Sequence, residues 1–439
     1  APNSLVFAVG MFGVIRAGAV QVNVNPLYSP RELEHQLKDA DADTIIIFSG
    51  STATLAEVIE QTPVKNVIAF GLDDLVERGL PSPPVDQRLQ DAIPFTDALA
   101  RGESLEFVKP QQSSDDLLFL QYTGGTTGLS KGAMLTHGNL IANIEQFEAM
   151  SCGMINAGEE VVLTAIPMYH IFALMVNTLT FFKLGGKNVL VANPRDMESF
   201  VKTWAATLPS MFTGVNTLYV GLLHTPGFSE IDFSGLKISM GGGAPVQQAI
   251  SQKWKDLTGR YIKEGYGLSE TSPILTVNLL TVPGYRPGIG VPLPSTDISL
   301  RDDDGNEVPQ GESGELCAKG PQVMPGYWRQ PEATAEVMTA DGYFKTGDIA
   351  VMEADGFFRI VDRKKDMILV SGFNVFPNEI EETVAAMPGV IESACIGFPH
   401  EATGEAVKLF VVKSDASISE DDVRSFCRER LAGYKVPKQ

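Results

Sequence analysis

The chain has 439 residues, 44% of them hydrophobic and 20% charged, a balance that supports a large buried core and a length that calls for two or more domains. Its 34 Lys+Arg against 54 Asp+Glu leave a net charge of −20, which argues against nucleic acid or an anionic membrane surface as a general partner, since both select a basic field. The four cysteines, Cys152, Cys317, Cys395 and Cys427, lie far apart without a CxxC pair, so neither a disulfide framework nor a zinc site is expected and a reducing cytoplasm is the default.

The opening Ala1-Pro2-Asn3 carries no basic-then-apolar leader, so no signal peptide is expected. Thr44-Ile45-Ile46-Ile47-Phe48 and Asn66-Val67-Ile68-Ala69-Phe70 read as buried strands with a helix, 51–61, between them. Residues 80–115, rich in Pro, Ser and charge, read as surface connection. Further strands are predicted at 117–122, 188–191, 236–240 and 260–263, and helices at 136–150 and 246–258. Strand–helix alternation of this kind predicts an α/β fold: a large, multi-layered N-terminal domain with mainly parallel sheets.

From Val161 to Phe182 there are 22 residues without a formal charge, long enough to cross a bilayer. Pro167, Tyr169, His170, Asn177 and three threonines suit lipid poorly, so a buried segment lining an apolar cavity is expected instead. From about 295 short strands alternate with turns carrying Gly305, Gly342 and Gly356, a β-rich subdomain running to 362. Residues 363–439 read as a small C-terminal α+β domain: strand 367–370, helix 378–387, strands 391–398 and 406–412, helix 419–431. Ser419 and Asp422 open that last helix as a capping box.

The strongest chemical signal is Tyr122-Thr123-Gly124-Gly125-Thr126-Thr127-Gly128-Leu129-Ser130-Lys131-Gly132, entered from the apolar strand 117–121 and left through an extended Gly132-Ala133-Met134-Leu135. Glycines let backbone N–H groups approach an anion, hydroxyls donate to phosphoryl oxygens, and Lys131 adds charge. The loop lacks the Gly-Lys-Ser/Thr run and following helix of a Walker A motif, and a flexible linker needs no ordered strand on either side.

This loop resembles the phosphate-binding signature of the adenylate-forming superfamily, which holds acyl-CoA synthetases, aryl-CoA ligases, luciferases and peptide-synthetase adenylation domains. Five further motifs follow in order: Pro167-Met168-Tyr169-His170, Gly241-Gly242-Gly243-Ala244-Pro245, Glu264-Gly265-Tyr266-Gly267-Leu268-Ser269-Glu270, Thr346-Gly347-Asp348 with Asp362-Arg363-Lys364-Lys365-Asp366, and 371–381. The resemblance implies ATP and magnesium as cofactors and coenzyme A as co-substrate. Thr123, Gly124, Gly125, Thr126, Thr127, Gly128 and Lys131 are then expected on the phosphates. Gly243, Ala244, Pro245, Glu264, Gly265, Tyr266 and Gly267 are expected around adenine, with Ser269 on the α-phosphoryl group. Asp348 and Arg363 are expected on ribose, Thr126 and Glu270 on the metal, and Lys365 at a hinge. Thr126, Lys131, Glu270 and His170 are expected to act in catalysis, His170 as a pocket-wall donor with a satisfied core histidine as its competitor.

The family also carries a catalytic lysine in a Pro-Lys…Gly-Lys motif beyond its last helix. The sequence ends at Gly433-Tyr434-Lys435-Val436-Pro437-Lys438-Gln439, short of that motif, so its role is assigned to neither Lys435 nor Lys438. Within the superfamily, Val24-Asn25-Pro26-Leu27-Tyr28, the stretch 167–174 and Asn193-Pro194-Arg195-Asp196 are similar to bacterial long-chain fatty acyl-CoA synthetases. That resemblance implies a fatty acid and CoA as substrates and a cytoplasmic enzyme in peripheral contact with the inner membrane, and it is compatible with a homodimer. A medium-chain or aryl-acid CoA ligase is the second reading, and a non-catalytic AMP- or acyl-binding module the third.

Overall fold

The computed structural model describes residues 1–123, 130–371, 373–400, 403–414 and 416–439. They divide into two compact units. One comprises Ala1–Arg286, Pro292–Thr296 and Lys319–Met338; the other comprises Pro287–Val291, Asp297–Ala318 and Thr339–Gln439.

The first unit is built on a sheet in which six neighbouring strands run in the order Ile274–Val277, Ile262–Gly267, Ile238–Gly241, Met211–Gly214, Val161–Thr164, Lys187–Leu190. All neighbours are parallel except the first pair, which is antiparallel. Met211–Gly214 and Ile238–Gly241 are buried at every position, as strands covered on both faces must be. Helices Met197–Thr207, Asn216–His224 and Gln248–Thr258 contribute Trp204, Tyr219 and Trp254 to a core that also holds Phe212 and Phe228. The rings meet edge to face, Trp204 with Phe212 and Tyr219 with Trp254 both at 4.7 Å, the geometry that ring quadrupoles favour. The Trp254 indole N–H is satisfied by Ser239 Oγ at 3.0 Å.

The uncharged stretch behaves as expected for a buried segment. Val161–Thr164 is a strand, and Ala173–Leu179 forms a fully buried π-helical turn. Thr178 and Thr180 hydroxyls donate to the carbonyls five residues back, which suits the wider turn. Asn177 donates to Thr164 Oγ1 at 2.9 Å and accepts from Thr213 Oγ1 at 3.0 Å, so its amide is tied to two strands of the sheet. Among the described residues no helix is long and apolar enough to cross a membrane. An apolar cavity of about 820 Å³ does exist in this unit, but none of 161–182 lines it; its walls include Val6, Met11, Ile46, Phe70, Phe95 and Leu120.

Two smaller sheets flank this core, Thr44–Phe48 parallel to Asn66–Phe70, and Gln21–Asn23 parallel to Leu117–Thr123. The segment 80–115 is not all connection: Phe95–Glu103 is a helix, and Phe95 is buried with Val6 and Phe70. A single apolar anchor docks an otherwise exposed helix, a signal that a composition average over 36 positions dilutes.

In the second unit, Asp297–Arg301, Ser313–Lys319, Phe344–Met352 and Phe358–Arg363 lie side by side in that order. Gly305, Gly342 and Gly356 occupy the left-handed region that the tight turns require, with φ of 84°, 86° and 83°. The C-terminal part pairs Phe373–Val375, Ile368–Val370, Gly404–Lys413 and Val390–His400 in antiparallel order. Helices Pro377–Ala385 and Glu420–Arg428 bury Ile380, Val384, Val423 and Cys427 against it. Ser419 and Asp422 form the expected capping box. All four cysteines are free.

Candidate active site

Strand Leu117–Thr123 pairs antiparallel with Lys131–Thr136, bringing Tyr122 opposite Gly132 and Thr123 opposite Lys131. The Gly/Thr segment lies in sequence between these two residues. Gly124, Gly125, Thr126, Thr127 and Gly128 lie outside the described residues. Both sides of that segment are anchored to helix Pro30–Ala40. Tyr122 Oη donates to Asp39 Oδ2 at 2.5 Å, and His35 Nε2 donates to the Ser130 carbonyl at 2.9 Å. Burial, and then the hydrogen bond to Asp39, push the Tyr122 phenol well above its ordinary pKa, so it remains a donor.

Pro167–His170 docks on the same strand, since Gln121 Nε2 donates to the Tyr169 carbonyl at 3.0 Å. His170 is exposed and so is not a core histidine. Its Nδ1 accepts the Phe172 N–H at 3.3 Å, which places any ring proton of the neutral form on Nε2. Desolvation of the ring lowers its pKa although the residue as a whole is exposed.

The adenine-side expectations fall at the carboxyl ends of two neighbouring parallel strands, where open α/β sheets place their ligands. Gly241 of Ile238–Gly241 is in register with Glu264 of Ile262–Gly267. Gly243, at φ +76°, turns the chain outward, and Gly243, Ala244 and Pro245 are exposed. Glu264 is buried, and its Oε2 accepts the Val246 N–H at 3.0 Å. Its carboxylate thus holds the exposed loop from behind. The strand runs to Gly267, four residues beyond the predicted end, and so carries Tyr266 on its last pleats, opposite Thr276. At Gly267 a Cβ would lie 1.7 Å from the Pro273 carbonyl oxygen, so only glycine lets the chain turn there into Ser269-Glu270-Thr271, a single 3₁₀ turn.

Glu270 is buried, and its Oε1 accepts from Tyr327 Oη at 2.8 Å. The Tyr327 ring in turn lies 5.3 Å from Lys131 Nζ. Burial, followed by the Glu270 charge, drives the Tyr327 pKa strongly upward. Tyr327 was not foreseen from the sequence; the only cue is Gly326-Tyr327-Trp328, an aromatic pair among turn residues. Among the described residues no three His, Cys, Asp or Glu gather as a metal cage. The buried carboxylate of Glu270 fits a magnesium ion carried in on nucleotide phosphates, which takes one or two protein carboxylates and fills its other positions with phosphate and water oxygens.

In the second unit, Asp348 and Arg363 face each other across the antiparallel pair Phe344–Met352 and Phe358–Arg363. Arg363 Nε is 3.4 Å from Asp348 Oδ1. Asp348 is buried in mid-strand and so is not a turn residue, while Arg363 is exposed. Lys365 is exposed in the turn 364–366, next to Lys364, which bonds Glu315 Oε2 at 3.1 Å. Lys435 Nζ is held by both carboxylate oxygens of Glu379, at 2.7 and 2.5 Å.

The strand pair that meets at Thr123 and Lys131, the glycine turns at the ends of parallel strands and the buried carboxylates of Glu264 and Glu270 fit an α/β enzyme that takes a nucleotide. The signature of AMP-binding enzymes matches residues 1–328, and that of the AMP-binding enzyme C-terminal domain matches 379–439; the chain belongs to this family. It is 51% identical over 452 aligned positions to the long-chain-fatty-acid–CoA ligase of Escherichia coli O6:H1, covering 100% of this chain and 80% of that one. The same-named protein of Salmonella typhimurium is 52% identical, with the same coverage. Among solved structures, ATP-bound MatB from Rhodopseudomonas palustris superposes with a TM-score of 0.87 at 31% identity, covering 100% of this chain and 82% of that one.

Proposed function

We propose that this chain is a long-chain-fatty-acid–CoA ligase that activates its acid with Mg·ATP. The observation that carries the reading is the 51% identity to the enterobacterial ligase across the whole of this chain. The fatty acid carboxylate attacks the α-phosphorus of ATP, the bond to the bridging oxygen breaks, and pyrophosphate leaves with that electron pair. The CoA thiol then loses its proton and attacks the acyl carbon of the acyl-AMP, and AMP departs. Such chemistry asks the protein for position and charge rather than covalent participation.

In this proposal Thr123, Thr126, Thr127 and Lys131, with the backbone of Gly124, Gly125 and Gly128, hold the β- and γ-phosphates. Tyr266 and Gly267 lie on one side of adenine, with Gly243, Ala244 and Pro245 on the other. Glu264 and Gly265 support these loops. Ser269 donates to the α-phosphoryl group, and Asp348 accepts from the ribose hydroxyls while Arg363 donates to the same sugar. Glu270 and Thr126 would hold magnesium, which would supply positive charge against the phosphates. His170 lines the acyl side, and Lys365 is the hinge between the two half-reactions. Peripheral contact with the inner membrane, where fatty acids arrive, and a homodimeric state belong to the same proposal; vesicle co-sedimentation and analytical ultracentrifugation test them.

Pyrophosphate release with saturated acids of rising chain length and with aromatic acids tests the substrate. Long chains should win, because each methylene buried in an apolar wall adds about 0.8 kcal/mol. Aromatic acids winning would point to an aryl-CoA ligase, and no turnover with any acid to a binding module.

A further inference from the structure

We propose that Tyr327 is a positioning residue for the adenylation step, fixing through one side chain the carboxylate of Glu270 and the ammonium of Lys131. The inference rests on reading Glu270 as the magnesium carboxylate. Three observations carry it. First, Tyr327 Oη donates to Glu270 Oε1 at 2.8 Å with both side chains buried, where a hydrogen bond to a charged acceptor is strong and directional. Second, the face of the same ring lies 5.3 Å from Lys131 Nζ, within the range of cation–π attraction. Each charge thereby gains a partner that orients it without neutralising it, and both remain able to act on a phosphate or its metal ion.

Third, the backbone around Tyr327 is bonded to both segments that carry these charges. Met324 N–H donates to the Glu270 carbonyl at 2.8 Å. On the other side, Met134 N–H donates to the Gly326 carbonyl at 3.0 Å and Trp328 N–H to the Gly132 carbonyl at 2.8 Å. Segment 324–328 therefore lies as a splint between strand Lys131–Thr136 and the turn bearing Glu270. The aromatic ring at its centre spans the same gap in side-chain space. A phenol suits the position because it combines a single donor with a π-face; phenylalanine keeps the second property and lacks the first.

Tyr327→Phe should leave the melting temperature and the fatty acid KM near parent values. It should weaken binding of the Mn²⁺–ATP complex, read by the electron paramagnetic signal of unbound Mn²⁺, by about tenfold, which corresponds to about 1.4 kcal/mol. The Mg²⁺ concentration for half-maximal pyrophosphate release should rise in parallel. Tyr327→Leu, which also removes the ring face, should in addition raise the ATP KM at saturating metal. Glu270→Gln is the reference: it should weaken Mn²⁺–ATP binding at least as much. If Glu270→Gln weakens the metal complex and Tyr327→Phe does not, the positioning role is overturned while the metal reading stands. If Glu270→Gln itself leaves Mn²⁺–ATP binding at the parent value, the metal reading falls and the role of Tyr327 falls with it.

Discussion

Glu270 and Asp348 are comparably buried, 7% and 4% exposed, yet they are held in different ways. Glu270 sits on a single 3₁₀ turn, and its carboxylate takes its bearing from the phenol of a residue 57 positions away in sequence. Asp348 sits in the middle of a nine-residue strand, and its partner Arg363 faces it across an antiparallel ladder whose register shifts just beyond, between Ile349 and Ala350. The first acid is placed by side chains, the second by backbone. A site placed by side chains is sensitive to substitutions around it, whereas one placed by a ladder is sensitive chiefly to loss of the acid itself.

The largest expected effect separates the two acids outright. Glu270→Gln should lower the rate of pyrophosphate release on the order of 100-fold or more, the scale for loss of one preorganised charge at a reacting centre. Its melting temperature should stay near that of the parent. Asp348→Ala should act mainly on binding, raising the ATP KM by roughly tenfold, since a carboxylate that accepts hydroxyl donors contributes about 1.5–3 kcal/mol. Arg363→Ala should raise it only a few-fold, because an exposed partner is screened by solvent; equal losses for the two would break the picture of a ladder-held acid.

Lys365→Pro should sharpen the contrast within the second unit. A proline in the turn 364–366 fixes a backbone angle that a hinge must change, so thioester formation should fall more than acyl-AMP formation, measured separately by quenched half-reactions. Equal loss of both would refute the hinge. The smallest effect concerns Asp362, whose pKa is raised chiefly by burial, although the Asn378 and Arg363 N–H groups hold it at 2.9 and 2.7 Å. A carboxyl with a raised folded pKa contributes stability below the ordinary carboxylate range and loses it as pH rises through the raised value. Asp362→Asn should therefore gain melting temperature relative to the parent as pH rises through that window. A difference independent of pH would show that Asp362 titrates alike in folded and unfolded chains.

Much of this was legible in the sequence, and the reasons are local. Buried parallel strands announce themselves as short β-branched runs, so Thr44–Phe48 and Asn66–Phe70 coincide with prediction. The strand leading into the Gly/Thr segment is just as plain, and Ser419 with Asp422 marks a helix start that the structure keeps. Strand Ile262–Gly267 was predicted too short because Glu264-Gly265-Tyr266-Gly267 has poor strand propensity; its neighbour Ile274–Val277 holds it in the sheet regardless. The Glu264 carboxylate is engaged with the Val246 N–H, a long-range contact that no spacing encodes. Tyr327 is not legible in the sequence for the same reason. Its importance depends on two segments that meet it only in three dimensions.

The central claim, that this chain activates an acid as its adenylate, is tested most directly by a single-turnover experiment with ATP radiolabelled at the α-phosphorus, magnesium and a long-chain fatty acid. Before CoA is added, the label should appear in an acid-stable fatty acyl-AMP bound to the protein. On addition of CoA it should leave as AMP in step with acyl-CoA formation. Label recovered as ADP, or left in ATP while pyrophosphate fails to form, would contradict the account.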